Sequence, residues 1–296
     1  MISASQTPET PPNLENSGAR QTPETSESAR TPETAQTPEA PETPHIRPAV
    51  SAHRGGSERR GAATLQAYED ALASGAEYAE FDIRRTADGV LVVHHDARAG
   101  GPTGPPVDRI THAELCGRAG YDVPAVEDVM ALVAGRLAGH LDLKETGYEH
   151  AVIDRAVALL GRDGFVATTL EDRSVAAITR TFPGVRTALS LGRDRQEVGA
   201  ARLAGTRAGE LFPMRRLRAC GAHGVAVHRL LARATVLRRA ARHGLFTMVW
   251  TVNDDAGLRR FLADARVDVV ITDRPRRAVE LRGATHRTPP AGHPSP

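Results

Sequence analysis

The chain has two cysteines, Cys116 and Cys220, far apart and without a CxxC pair. That excludes a disulfide framework and a cysteine-based zinc site, and two plain thiols are compatible with a reducing cytosol. Aromatic residues make up only 4% of the sequence, and they do not alternate with an arginine stripe. Together with a formal net charge of +2, this argues against a nucleic-acid partner. No run approaches the roughly eighteen apolar residues of a transmembrane helix, so no stable membrane insertion is expected. The opening residues lack the apolar stretch of a signal peptide, and a cytoplasmic location is the expectation. Lysine is also almost missing: of 38 Lys plus Arg residues, only Lys144 is a lysine.

What is present falls into three parts. Residues 1–45 repeat Thr-Pro-Glu units, at Thr7, Thr22, Thr31 and Thr37. Such a tract has too little apolar area to offset its ordering entropy, so it is expected to be a disordered tail. Residues 285–296 form a second loose tail by the same reasoning. Between them, residues 46–284 have the composition of one folded domain.

The densest chemistry runs from His53 to Asp96. It reads His53-Arg54-Gly55, then Glu80-Phe81-Asp82, then His95-Asp96. In a strand, residues two apart share a face, so Glu80 and Asp82 point together, opposite Phe81 and Ile83. Burying two carboxylates side by side is costly unless a cation joins them. Asp142 and Lys144 repeat the spacing in Gly139–Lys144. A lone lysine among arginines suggests a site that needs a compact ammonium rather than a planar guanidinium. Hard oxygen ligands, a guanidinium and imidazoles together suit metal-assisted attack on a phosphate.

Apolar periodicity predicts strands opening near residues 49, 78, 139, 165, 185, 225, 246 and 267, with an extra strand over Val90–His94. Helices are predicted between them, including Thr64–Ser74, Val126–Ala134, Tyr148–Leu160, Ser174–Thr181, Arg195–Leu203, Ala232–His243 and Asp254–Ala265. Eight strand–helix units in about 240 residues is the size of a (β/α)₈ TIM barrel. A doubly wound open sheet fits the alternation too. The barrel is preferred because the candidate residues end several different strands, whose C-terminal ends a barrel gathers at one mouth.

Ala52-His-Arg-Gly-Gly56, Glu80-Phe-Asp82, Thr86-Ala-Asp-Gly89, Val92-Val-His-His-Asp96, Leu141-Asp-Leu-Lys144, Trp250-Thr-Val-Asn253 and Ile271-Thr-Asp-Arg-Pro275 occur in that order. With them the chain resembles the glycerophosphodiester phosphodiesterases of compact bacterial type. The resemblance implies a divalent cation, Ca²⁺ or Mg²⁺, held by Glu80, Asp82 and Asp142. It implies His53 and His95 as the acid–base pair. It gives Arg54 and Lys144 the phosphate oxygens, and makes Trp250 a wall at the mouth. The implied substrate is a small glycerophosphodiester, cleaved to glycerol 3-phosphate and an alcohol after attack by its own 2-hydroxyl. His94 precedes His95 and alternation turns it to the other face. Asn253, Thr272 and Asp273 read as turn or supporting residues.

Two positions depart from the family. Gly61-Ala-Ala-Thr64 stands where Pro-Glu-Asn-Thr is usual, and Asp142 stands where glutamate is usual. Glu58 lies upstream of the missing glutamate, at a different spacing. Two other functions fit the same barrel: a phospholipase-D-like lyase, or a weakened barrel that only binds phosphate.

Overall fold

The computed structural model describes residues 48–58, 61–192, 210 and 212–284. Both expected tails and the predicted Arg195–Leu203 helix lie outside these residues. Nine strands occur among them: β1 (Ala49–Ala52), β2 (Tyr78–Arg85), β3 (Leu91–Val93), β4 (Ala138–Leu143), β5 (Phe165–Thr169), β6 (Arg186–Leu191), β7 (Gly224–His228), β8 (Phe246–Trp250) and β9 (Val269–Thr272). Eight are parallel and run β1-β2-β4-β5-β6-β7-β8-β9, with β9 pairing back to β1. The sheet closes on itself, so this is a TIM barrel. β3 stands outside the cycle, antiparallel on β2.

The helices are α1 (Leu65–Leu72), α2 (His112–Ala119), α3 (Val126–Val133), α4 (Glu149–Leu160), α5 (Asp172–Thr181), α6 (Met214–Cys220), α7 (Arg229–Leu231), α8 (Leu237–Arg242), α9 (Asp255–Leu262) and α10 (Pro275–Ala284). A π-helical segment, Ala232–Val236, joins α7 to α8. No described helix is long and apolar enough to cross a membrane.

Strand alternation sorts the core into two layers. Phe81, Ile83, Leu141, Leu143 and Ala167 turn outward and pack with Val126, Met130 and Ile153 of the surrounding helices. Val166, Ala188, Ala226, Met248, Val269 and Ile271 turn inward and fill the barrel. Above that apolar plug lies a polar layer. His140 meets Ser51 Oγ at 3.1 Å and Thr168 Oγ1 at 3.1 Å, tying β1, β4 and β5 together. Burial holds the His140 pKa down to about 4, so its imidazole is neutral at physiological pH.

Three helices escape the apolar periodicity. α2 begins with a reciprocal capping box between Thr111 and Glu114, a signal present in Thr-His-Ala-Glu. α10 begins at Pro275, in the position where a missing N–H costs nothing. α6 is short and arginine-rich, with only Leu217 and Cys220 buried. Arg84 and Arg85 continue β2, paired with Val92 and Leu91 of β3, and the reversal comes after Thr86.

Candidate active site

The site forms at the C-terminal ends of the strands. Register sets its geometry: Asp82 lies level with Asp142 across the β2–β4 ladder, and Asp142 level with Thr168 across β4–β5. Glu80, one pleat deeper, shares the inner face with Asp82. One oxygen from each of Glu80, Asp82 and Asp142 lies within 4.8 Å of the others. Glu80 and Asp82 are buried, and Asp142 is half-buried. Thr168 donates to Asp142 Oδ1 at 2.6 Å, which links the carboxylate to the His140 layer below.

Two cations close over this cluster. Lys144 Nζ lies 2.7 Å from Asp82 Oδ1 and 2.5 Å from Asp142 Oδ2. Arg54 Nε lies 2.9 Å from Asp82 Oδ2, and the Arg54 backbone N–H donates to Glu80 Oε2 at 2.8 Å. Arg54 adopts φ 52°, a left-handed conformation uncommon for a side-chain-bearing residue. Gly55 follows at φ 78°, and a Cβ there would come 2.7 Å from the Ala67 carbonyl carbon. The His-Arg-Gly turn therefore needs its glycine to fit against α1.

The electrostatics separate the two acids of β2. Burial first, then the Asp82 charge, pushes the Glu80 pKa up to about 8. Asp82 moves down, because Lys144 and Arg54 outweigh the opposing effect of its burial. Lys144 is held well above the ordinary lysine range, since Asp142, Asp82 and Glu80 more than offset its burial. Both Asp82 oxygens are fully buried at ion-pair distance from these cations, yet neither has an aligned hydrogen-bond partner. Three crowded carboxylates, with unsatisfied acceptors on Asp82, suit a hard divalent cation. The residues fit the group that the resemblance implies, and the shorter Asp142 still reaches the cluster.

The two histidines are held differently. His53 Nδ1 lies 2.5 Å from Asp273 Oδ1, and Asp273 Oδ2 accepts from Asn253 Nδ2 at 2.5 Å. Asn253 Oδ1 in turn accepts from Asp273 N and Thr272 Oγ1. Burial lowers the His53 pKa, but the Glu80 charge and the Asp273 hydrogen bond outweigh it, and the net shift is upward. His95 Nδ1 meets only its neighbour Asp96, at 2.7 Å, and its side chain is 42% exposed against 17% for His53. Its pKa moves down, through burial first and then Lys144 and Arg54, against the pull of Asp82. His94 is half-buried.

His53, Arg54, Glu80, Asp82, Asp142 and Lys144 thus form one cluster, and His95 shares its electrostatic field. Trp250 ends β8, four strands around the barrel from β4, with its ring edge-on to His228 at 5.3 Å. Glu58 does not approach the carboxylates; it accepts from the Arg276 and Arg277 backbone N–H groups at the start of α10. Sequence reasoning under-weighted Asp273 and Asn253. It also missed Arg84, a buried guanidinium that donates to the His95 carbonyl at 3.0 Å and pairs with Glu145.

A sequence model described as the glycerophosphoryl diester phosphodiesterase family matches residues 53–138 and 178–277. A Mycobacterium tuberculosis protein named "Probable glycerophosphodiester phosphodiesterase 1" is 53% identical over 51 residues, 17% of this chain and 19% of that protein. The match thus spans about a fifth of that curated relative's length. A crystal structure of a glycerophosphodiester phosphodiesterase from Parabacteroides distasonis superposes with a TM-score of 0.66 at 20% identity, covering 82% of this chain and 99% of that one. An Oleispira antarctica phosphodiesterase solved with the product sn-glycerol-3-phosphate gives 0.60 at 17% identity, covering 79% and 96%. At these identities the two structures speak to the fold.

Proposed function

The chain belongs to the glycerophosphoryl diester phosphodiesterase family, and from that premise we propose that it hydrolyses glycerophosphodiesters to glycerol 3-phosphate and an alcohol. The observation that carries this reading is the Glu80–Asp82–Asp142 cluster, capped by Arg54 and Lys144 at the mouth of a closed barrel. Glu80, Asp82 and Asp142 hold Ca²⁺ or Mg²⁺, which when bound supplies Lewis-acid polarisation of the phosphoryl oxygens. Arg54 and Lys144 orient the phosphate and balance its charge in the transition state.

The histidines divide the proton transfers. Each has its Nδ1 engaged by a carboxylate, which leaves Nε2 for the substrate. One imidazole, unprotonated, takes the proton of the glycerol 2-hydroxyl. The other, protonated, gives a proton to the departing alkoxide. The 2-oxygen forms a bond to phosphorus as the bond to the alcohol breaks. Water then opens the five-membered cyclic phosphate with the two roles reversed, giving glycerol 3-phosphate.

The test is a substrate and metal screen. Glycerophosphocholine, glycerophosphoethanolamine and glycerophosphoglycerol are each incubated with Ca²⁺, Mg²⁺ or EDTA, and glycerol 3-phosphate is measured. Metal-dependent release is the expected result; binding without turnover would favour the weakened barrel.

A further inference from the structure

The barrel mouth has unequal flanks. On the β8 side, Trp250 offers a half-exposed aromatic wall. On the opposite side, a cleft of about 900 Å³ opens beyond Lys144, between the ends of β2, β4 and β5 and the loop after β3. A three-carbon glycerol arm needs little of that volume, which is at the large end for small-molecule sites. Much of its far wall, Glu145 to Arg173, belongs to residues 139–177, where the family match breaks off.

The wall is cationic where its charges are free. Arg85, Arg109 and Arg173 line it and are exposed. Of its acids, Glu145 is engaged with Arg84 and Glu171 in an interaction of its own. Asp108 lies 3.8 Å from Arg109 in a long, exposed contact that leaves both charges largely intact, so three arginines face one loosely held carboxylate. Quaternary ammonium groups are bound by open aromatic faces. Tyr148 is the aromatic residue on this wall, and the Arg85 guanidinium already stands 5.7 Å over its ring.

We propose that this cleft is the leaving-group subsite and that Arg85, Arg109 and Arg173 select an alcohol carrying its own phosphate or similar anion. The proposal rests on the phosphodiesterase reading above and names its substrate class. With the phosphate held between Arg54 and Lys144, the glycerol arm lies toward Trp250 and the alcohol arm enters the cleft. An anionic arm gains from the arginines, and a cationic arm meets repulsion with no aromatic face to receive it.

The test is a charge series of leaving groups at low ionic strength. Bis(glycerophospho)glycerol releases an anionic alcohol, glycerophosphoglycerol a neutral one and glycerophosphocholine a cationic one. We expect kcat/KM to fall in that order, by about 10-fold or more from first to last, with the spread shrinking as salt screens the exposed charges. An Arg85→Gln/Arg173→Gln double variant, its fold checked by melting temperature, should compress the anionic-to-cationic ratio by about 10-fold. Equal or better turnover of the choline ester, or a ratio unmoved by the double variant or by salt, overturns the subsite while leaving the phosphodiesterase reading intact. Failure of all three substrates to yield glycerol 3-phosphate overturns that reading and the subsite with it.

Discussion

His53 and His95 flank the same carboxylate cluster, yet the protein holds them by opposite means. His53 sits on the turn after β1, and its ring is fixed through Asp273 and Asn253, residues two hundred or more positions away in the chain. His95 lies after the added strand β3, with one hydrogen bond to its sequence neighbour and its carbonyl pinned by Arg84. The first arrangement buries an imidazole among acids that raise its pKa. The second leaves an imidazole whose pKa is lowered by burial and by two nearby cations. One fold thus moves the pKa values of identical side chains in opposite directions by choosing their neighbours.

The largest effect should come from the cluster both histidines face. Chelation should abolish activity, and Glu80→Gln should lower kcat/KM by on the order of 10³-fold, because the hard-cation site loses a charged oxygen. Calorimetry with Ca²⁺ or Mg²⁺ should show the variant losing most of its affinity. Full turnover in excess EDTA would sink the metal assignment.

Next come the histidines themselves. His53→Ala and His95→Ala should each lower kcat by roughly 10²–10⁴-fold, with smaller changes in KM, since Arg54 and Lys144 still hold the phosphate. His94→Ala is the control and should stay within about a few-fold of wild type. A dead His94 variant beside a healthy His95 variant would shift the second catalytic histidine by one residue.

The pH profile sharpens the contrast. Turnover by the proposed route needs one imidazole unprotonated and the other protonated, so activity should fall as pH drops through the lower pKa, that of His95, below the ordinary imidazole value of 6.5. It should fall again as pH rises through the higher pKa, that of His53, above 6.5. Asp273→Asn removes a charge that supports His53. It should move the alkaline limb to lower pH and leave the acid limb in place, with a kcat loss of about 10–100-fold. Equal movement of both limbs would mean that Asp273 only supports the fold.

Much of this was legible because it is local. Period-two alternation put Glu80 with Asp82, and Asp142 with Lys144, on shared faces, and the solitary lysine pointed to a special position. The Asp273–Asn253 support was not legible, because it depends on β9 closing onto β1 and no local pattern encodes that pairing. Arg84 was not singled out, although alternation sets it on the face of Glu80 and Asp82, because its partners lie on two other loops that spacing does not reveal. The cleft depends on how the loop after β3 meets the ends of β4 and β5, which spacing does not reveal.

Smaller effects test the remaining departures. Ala63 adopts φ 61°, at the position where the family usually has asparagine, a residue that tolerates that conformation. Ala63→Gly should therefore raise stability by about 0.5–1 kcal/mol in a denaturant titration. Removing residues 1–44 should change neither melting temperature nor turnover, as their Pro/Glu/Thr composition predicts. A large loss of either would show that the tract contributes to the barrel.

The most direct measurement is a ³¹P NMR time course of wild-type protein with glycerophosphocholine and Ca²⁺. It reads which phosphorus–oxygen bond breaks. The account predicts that the diester signal is replaced by glycerol 3-phosphate, with any cyclic phosphate appearing before it, and that EDTA stops the conversion. Accumulation of phosphocholine instead, or conversion that continues in EDTA, would contradict it.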